Sequence, residues 1–296
     1  MDIKYLKHNE IDYVAWDESI ASSHNALVYA QSWYLDIVSP GWEALVSSDY
    51  EYLMPLPVKR KYGIPFLVQP VLSQQLGIFS SQKIDEKILH GFIRKIPYLS
   101  YHLNLNEGNK YSKATSYPNY VLDLNKGYEK LHWAYSKNTR RNISKATKIG
   151  IYVKSDISVE EFCDFYFSVE KSTAELNKEL VHKLIENGYN RGAIELYAAF
   201  YPDGELIAAL CLLKSEHRLI YLLPVSNAKG KQWSGMFLIV DEIIRDKSKT
   251  DVLLDFEGSR VSGVARFYRG FGSYNKPYYH VERLSIPRMM DLFKKK

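Results

Sequence analysis

The sequence predicts an α+β protein with mixed, mostly antiparallel sheets flanked by helices, in two units spanning residues 1–119 and 120–296. Three observations predict this. Stretches with an apolar residue at every second position are interspersed with stretches at spacings of three and four, so strands and helices share the chain. Residues 193–224 hold three consecutive strand-like runs, the first two joined at Pro202-Asp203-Gly204, a strong turn signal and the mark of a meander. A polar segment at 106–119, with Gly108, Asn109, Lys110 and Ser112, reads as a linker between the halves.

Residues 3–6 form a first strand. Residues 12–22 and 31–38 follow as helices, the second with Trp33, Tyr34, Ile37 and Val38 on its apolar side. Residues 42–47, 50–59 and 66–71 alternate as strands. Pro55, Pro57, Pro65 and Pro70 make these edge, short or bulged strands, because proline removes a ladder donor. Lys59, Arg60, Lys61 and Gly63 make a basic hairpin tip, best read as a solvated turn. Gln69, Gln74, Gln75 and Gly77 either line a polar pocket or satisfy loop backbone. A helix at 83–96 places Ile84, Ile88, Phe92 and Ile96 at spacings of four and ends at Pro97. A strand at 98–105 puts Tyr98, Ser100, His102 and Asn104 on one face.

The second half opens with a strand at 120–124 and a helical segment at 128–149, stopped by Gly150. Lys137, Arg141, Lys145 and Lys148 share one face of that helix. With almost no acid nearby, the stripe is either a solvated face or a contact for an anionic ligand. A strand at 151–154, helices at 159–170 and 178–187 and the meander follow. The central meander strand, Glu205 onward, is nearly continuous apolar sequence. Gly230, Ser234 and Gly235, with Lys229 and Lys231, precede a helix at 236–245. Free N–H groups at the positive end of a helix suit a phosphate; a plain cap with adjacent lysines is the alternative. Residues 252–257 alternate, with Val252, Leu254 and Phe256 on one face and Asp255 and Glu257 on the other. Gly258 and Ser259 stop this strand. A short helix carrying Val264, Phe267 and Phe271, then a strand at 278–284, complete the order.

With 46% hydrophobic residues in 296, the chain has material for substantial cores. Its 24 tyrosines suit partly wet clefts, since the ring buries while the hydroxyl seeks a partner. A net charge of +5 permits an anionic ligand without demanding nucleic acid, and no DNA partner is expected. Cys163 and Cys211 read as small buried hydrophobes. The N-terminus has no apolar signal core and no run is long enough to span a bilayer, so a cytoplasmic location is expected. Lys294, Lys295 and Lys296 make a basic tail, usually a solvated feature. No His pair at metal-ligand spacing, CxxC, Walker loop, dinucleotide fingerprint or GxSxG is present, and no metal is expected.

The order of meander, Gly-containing loop, helix, strand and helix resembles the GNAT N-acyltransferase fold. Gln232-Trp233-Ser234-Gly235-Met236-Phe237 is similar to that family's pyrophosphate loop at the first Gln and first Gly, with Phe237 where the family has a small residue. RRNISKATKIGI, from Arg140 to Ile151, resembles the R-x-N-I-x-K-A-x-K-x-G pattern of the Fem peptidyltransferase branch. DFEGS followed by FYRGFG resembles the strand and helix of the same branch and of Acetyltransf_6-type proteins. The resemblance implies two GNAT-like units in tandem and direct acyl transfer to an amine, with acyl-CoA as co-substrate and no metal. It implies that Lys231, Gln232, Ser234 and Gly235 hold the donor. Arg140, Arg141 and Lys145 then meet an anionic acceptor, a small molecule or cell-envelope precursor. Glu257 and Asp255 are the candidate bases, Tyr268 either protonates the leaving group or is a structural residue of its aromatic helix, and a splayed strand near residues 221–225 offers backbone N–H groups to developing negative charge. Arg269 pairing with either acid would lower that acid's pKa and weaken it as a base. Two alternatives stand beside this: an aminoacyl-tRNA-dependent transferase acting on a peptidoglycan precursor, for which the sequence has no long helical arm, and a ligand-binding module without catalysis.

Overall fold

A computed structural model describes residues 1–169, 176–215, 217–258 and 261–284; Ser259 and the basic tail at 294–296 lie outside these. The chain packs as two compact units, Met1–Tyr117 with Pro277–Lys296, and Pro118–Lys276. The sequence-based division placed the strand at 278–284 in the second unit. Its backbone hydrogen bonds place it in the first.

In the first unit, β1 (Ile3–Leu6), α1 (Tyr13–Ser22), α2 (Ser32–Val38), β2 (Glu43–Ser47) and β3 (Leu53–Leu56) lead to β4 (Val58–Lys61) and β5 (Ile64–Val68). Next come α3 (Glu86–Lys95), β6 (Tyr101–Leu105) and β7 (Thr115–Tyr117). Strands β1, β2 and β3 form an antiparallel sheet, and a five-stranded sheet has the order β4-β5-β6-β15-β7, where β15 is the returning Tyr278–Arg283. The prolines behave as expected: Pro65 lies near the turn of the β4–β5 hairpin, whose tip carries Tyr62 and Gly63 at positive φ.

The segment at 106–119 is not a linker. Asn106 and Asn109 are fully buried and substitute for missing backbone partners. Asn109 accepts the Ile78 N–H at 2.7 Å and donates to the Ile78 carbonyl at 3.0 Å, while Asn106 donates to the Leu76 and Ile78 carbonyls. Gln69 and Gln75 act likewise, accepting the N–H groups of Asn104 and Glu107. Of the two readings of these amides, backbone satisfaction is the one their contacts support.

The second unit begins with β8 (Tyr120–Asp123), α4 (Tyr128–Trp133), α5 (Lys137–Ile149), β9 (Tyr152–Lys154), α6 (Val159–Val169) and α7 (Lys178–Asn190). The meander is β10 (Ile194–Phe200), β11 (Leu206–Ser215) and β12 (Arg218–Ser226), followed by α8 (Ala228–Trp233), α9 (Gly235–Asp246), β13 (Leu253–Asp255), α10 (Ser262–Gly270) and β14 (Tyr274–Asn275). One seven-stranded sheet has the order β14-β8-β13-β12-β11-β10-β9. The helix expected at 128–149 is two helices, because Ser136 accepts the Thr139 N–H and caps α5 afresh. Its apolar face holds Ile143 and Ala146 in a core shared with Leu210, Leu212, Ile239, Ile243, Leu254, Phe256 and Phe271. Both cysteines are buried as small hydrophobes. Among the described residues no helix is long and apolar enough to cross a membrane.

Residues 228–233, expected as an open Gly-containing loop, are helical. Asn227 caps α8 by accepting the Gly230 N–H at 2.8 Å. Gly230 serves close packing: a Cβ there would lie 2.0 Å from the Ile207 carbonyl oxygen. Gly230→Ala is therefore expected to cost about 2–3 kcal/mol, the scale of overpacking a filled site, as read by urea denaturation. Gly263→Ala, with nothing within 4 Å of its Cβ, is expected to be neutral or stabilising.

Candidate functional site

The site grows out of a mismatch between two strand lengths. Parallel pairing between β12 and β13 covers only Arg218–Ile220 against Leu253–Asp255. Strand β12 continues to Ser226 along β11, with a bulge opposite Cys211 and Leu212. Beyond Ile220 it is thus a local edge beside a short neighbour, and a bulge there re-aims the backbone. Pro224 fits this position, since proline is tolerated where a ladder bond is not required.

A cavity of about 420 Å³ opens along this stretch, floored by Tyr221, Pro224 and Ser226 of β12. Gly230, Lys231 and Ser234 close one side; Phe237 of α9 and Phe267 and Tyr268 of α10 supply apolar wall. The helical period explains α10: residues 264, 267, 268 and 271 fall on one side, and Phe267, Tyr268 and Phe271 join the aromatic core. Tyr268 stacks on Phe256 with centroids 5.1 Å apart and meets Tyr221 edge-on at 5.8 Å. Phe237 contacts Phe267 edge-on at 4.8 Å, so the residue that departs from the family loop is a wall of the cavity. Sequence reasoning passed over Phe237 and Phe267 as site residues. The aromatic run RFYRGF was the visible signal for Phe267, and the large residue in place of a small one in QWSGMF was the signal for Phe237.

The two acids of the alternation at 252–257 have different environments. Asp255 is buried and pairs with Arg218, also buried, at 2.5 Å. Arg269, the expected partner, donates its Nε–H to the Ala265 carbonyl. The second Asp255 oxygen accepts the backbone N–H of Glu257 at 2.8 Å. Glu257 is partly exposed and takes up φ 58°, a left-handed conformation that costs a non-glycine residue about 1–2 kcal/mol. Its carbonyl accepts the Tyr120 N–H at 3.4 Å. Burial raises the pKa of Tyr268 well above the ordinary phenol value, and the negative charges of Glu257 and Asp255 raise it further. Tyr268 therefore stays protonated through the physiological range.

The loop and helix singled out separately in the sequence meet here. Lys145 of α5 donates to the Gln232 carbonyl at 2.6 Å and sits 4.9 Å from the Trp233 ring centre. Ser234, at φ 65° between α8 and α9, donates to the Asn142 side chain at 3.0 Å. Lys231 is exposed and lines the cavity, whereas Gln232 is exposed and does not line it. Gly235 is buried, with a would-be Cβ 3.2 Å from that of Ala208, so it lets α9 approach the sheet. Arg140 donates to the Trp133 carbonyl and Arg141 to the Asn138 side chain, and both remain exposed on α5.

Residues 134–258 match the family described as Acetyltransferase (GNAT) domain. No curated protein sequence matches the chain. Among solved structures, FemX has the same fold over 99% of this chain and 100% of its own, with 10% identity and a TM-score of 0.69. The C-terminal domain of a putative lysylphosphatidylglycerol synthetase from Agrobacterium fabrum aligns over 95% of each chain at 9% identity, with a TM-score of 0.58. A tandem GNAT protein from the clavulanic acid biosynthesis pathway aligns over 96% of this chain and 99% of its own at 10% identity, with a TM-score of 0.53. The chain thus has the tandem, Fem-like GNAT fold that its motifs resemble, in a mixed α+β architecture.

Proposed function

We propose that this chain is an N-acyltransferase that moves an acyl group from a thioester to an amine acceptor, and that the cavity beside β12 receives the reacting end of the donor. The observation that carries this reading is the cavity itself: an apolar, aromatic-walled opening where β12 outruns β13, with a cation, a tyrosine and strand backbone at its margins. Such a site holds an acyl group dry and aligned while backbone N–H groups face the carbonyl oxygen. In the proposed reaction the amine nitrogen bonds to the carbonyl carbon and the C–S bond breaks. The amine proton passes to the Glu257 carboxylate, and the leaving thiolate takes a proton from the Tyr268 hydroxyl. Asp255, committed to Arg218, positions Glu257 through its backbone N–H and is not assigned the base role. Lys231 and the first N–H groups of α9 hold the donor's phosphates, with acyl-CoA as the fitting donor class. This reading requires a compartment containing activated acyl groups, such as the cytoplasm, and a small molecule or envelope precursor as acceptor.

One observation favours a second donor. Gly230 and Lys231 give their N–H groups to Asn227, and Phe237 gives its own to Ser234, so much of the expected phosphate cradle is spent on local structure. An aminoacyl ester on tRNA would use the cavity for its aminoacyl group and the exposed cations of α5 for its phosphates. The deciding experiment is thermal unfolding of the protein with acetyl-CoA, longer acyl-CoAs and aminoacyl-tRNA. A rise in Tm with acyl-CoA supports the thioester donor, and a rise with aminoacyl-tRNA alone supports the ester. No shift with any of them would favour a binding module. If tRNA binds, Arg141→Ala with Lys145→Ala is expected to weaken it about tenfold and to flatten its salt dependence, as loss of phosphate contacts does.

A further inference from the structure

We propose that the first unit carries a binding site for a divalent transition-metal ion of the zinc type, built from His102, His280 and Glu282. Strands β6 and β15 are antiparallel neighbours in which Glu282 faces His102 and His280 faces Asn104. The period of two places all four side chains on one face. One ligand atom from each of His102, His280 and Glu282 lies within 4.8 Å of the others. The imidazole rings are 4.3 Å apart between centroids, and Tyr117 stacks on His280 at 5.3 Å.

The tautomer of His280 follows from its neighbours. Asn104 donates its Nδ2 hydrogen to the Gln74 carbonyl at 2.8 Å, which turns its Oδ1 toward His280. That oxygen is 2.9 Å from His280 Nδ1, so Nδ1 carries the proton and Nε2 presents the lone pair. Nε2 in turn lies 3.7 Å from Glu282 Oε2. A buried imidazole whose far nitrogen is held by a side-chain oxygen, with its lone pair beside a carboxylate, is a common metal-ligand arrangement. Tetrahedral zinc with bonds of about 2.0–2.1 Å separates its ligand atoms by about 3.3 Å. The 3.7 Å pair is near that spacing, and the Glu282 side chain, 56% exposed, has room to move the remainder. Two imidazoles and one carboxylate favour zinc and its transition-metal neighbours over magnesium or calcium. His280 and Glu282 share β15 while His102 lies far away in sequence on the paired β6, so the set comes together only through strand pairing.

The test uses full-length protein without a histidine tag, treated with EDTA and titrated with zinc chloride in a calorimeter. One ion per chain is expected, with a rise in Tm of about 5 °C at a zinc concentration about a hundredfold above Kd. His102→Ala is expected to abolish this uptake and Glu282→Gln to weaken it at least tenfold. Both replace residues less buried than His280, and circular dichroism before titration establishes that each variant is folded. Magnesium chloride is expected to produce no saturable heat. Absence of saturable zinc uptake by the parent protein, uptake unchanged in His102→Ala and Glu282→Gln, or equal binding of magnesium would each overturn the proposal.

Discussion

Asp255→Ala is expected to destabilise the second unit by about 3–5 kcal/mol, the scale of breaking a buried ion pair by removing one partner. Both side chains of the pair are almost wholly buried, at 7% and 3% exposure for Arg218 and Asp255. Alanine at 255 leaves a buried guanidinium without this carboxylate and frees the Glu257 N–H from its 2.8 Å acceptor. The pair also joins the ends of β12 and β13 where their pairing is only three residues long. Asp255→Asn keeps the shape and an oxygen acceptor for Glu257 while losing the charge, and is expected to fall between. Arg218→Met combined with Asp255→Leu is expected to recover much of the loss, because an apolar pair removes the desolvation cost of both charges. Guanidinium denaturation of the parent, Arg218→Met, Asp255→Leu and the double variant gives the coupling free energy. A loss below about 1 kcal/mol in Asp255→Ala, typical of an exposed pair, would show that Arg218 and Asp255 are not the lock between these strands.

How far the sequence revealed this arrangement depended on whether a contact was local. Alternation identified β13 and the helical period identified α10, since each follows from which side of one element is buried. The partner of Asp255 was out of reach. Arg269 is near in sequence, yet strand register brings Arg218 alongside from across a parallel pair. The same holds for β15, whose alternation marks a strand without naming its partner; backbone bonds to β6 carry it into the first unit. Residues 228–233 misled for a different reason. Two glycines and a serine near lysines suggest an open loop, but an Asn227 cap and the close approach to Ile207 make a short helix, with glycine there for space. Asn106 and Asn109 carried linker composition while acting as buried hydrogen-bonding plugs. Composition reports a residue's average environment, and a buried amide that completes backbone pairing looks the same as a solvated one. The cavity was legible only in part: the strand singled out near residues 221–225 forms its floor, whereas the aromatic walls required the packing of α9 against α10.

Glu257→Gln is expected to lower the rate of acyl transfer about a hundredfold, the usual scale of removing a general base, while leaving the fold intact. The substitution keeps the side chain's length and the backbone bonds that hold residue 257 at positive φ, one to Asp255 and one from Tyr120. Backbone strain of this kind persists where surrounding contacts over-determine it, and Asp255 supplies such a contact beside a cavity-lining tyrosine. If Glu257 takes the amine proton, the parent rate climbs with pH as the carboxylate ionises, and the glutamine variant lacks that limb. A second readout needs no substrate. The Glu257 charge helps hold the Tyr268 pKa above its ordinary value, so its removal should lower the pH at which Tyr268 ionises, as followed by tyrosinate absorbance against a Tyr268→Phe reference. A lowered Tyr268 pKa with unchanged turnover would keep the two groups together while removing Glu257 from the chemistry. Unchanged absorbance with reduced turnover would detach the base from the tyrosine. The base assignment stands only if turnover and the pH limb fall together, since a merely structural glutamate would lower activity without altering the shape of the pH profile.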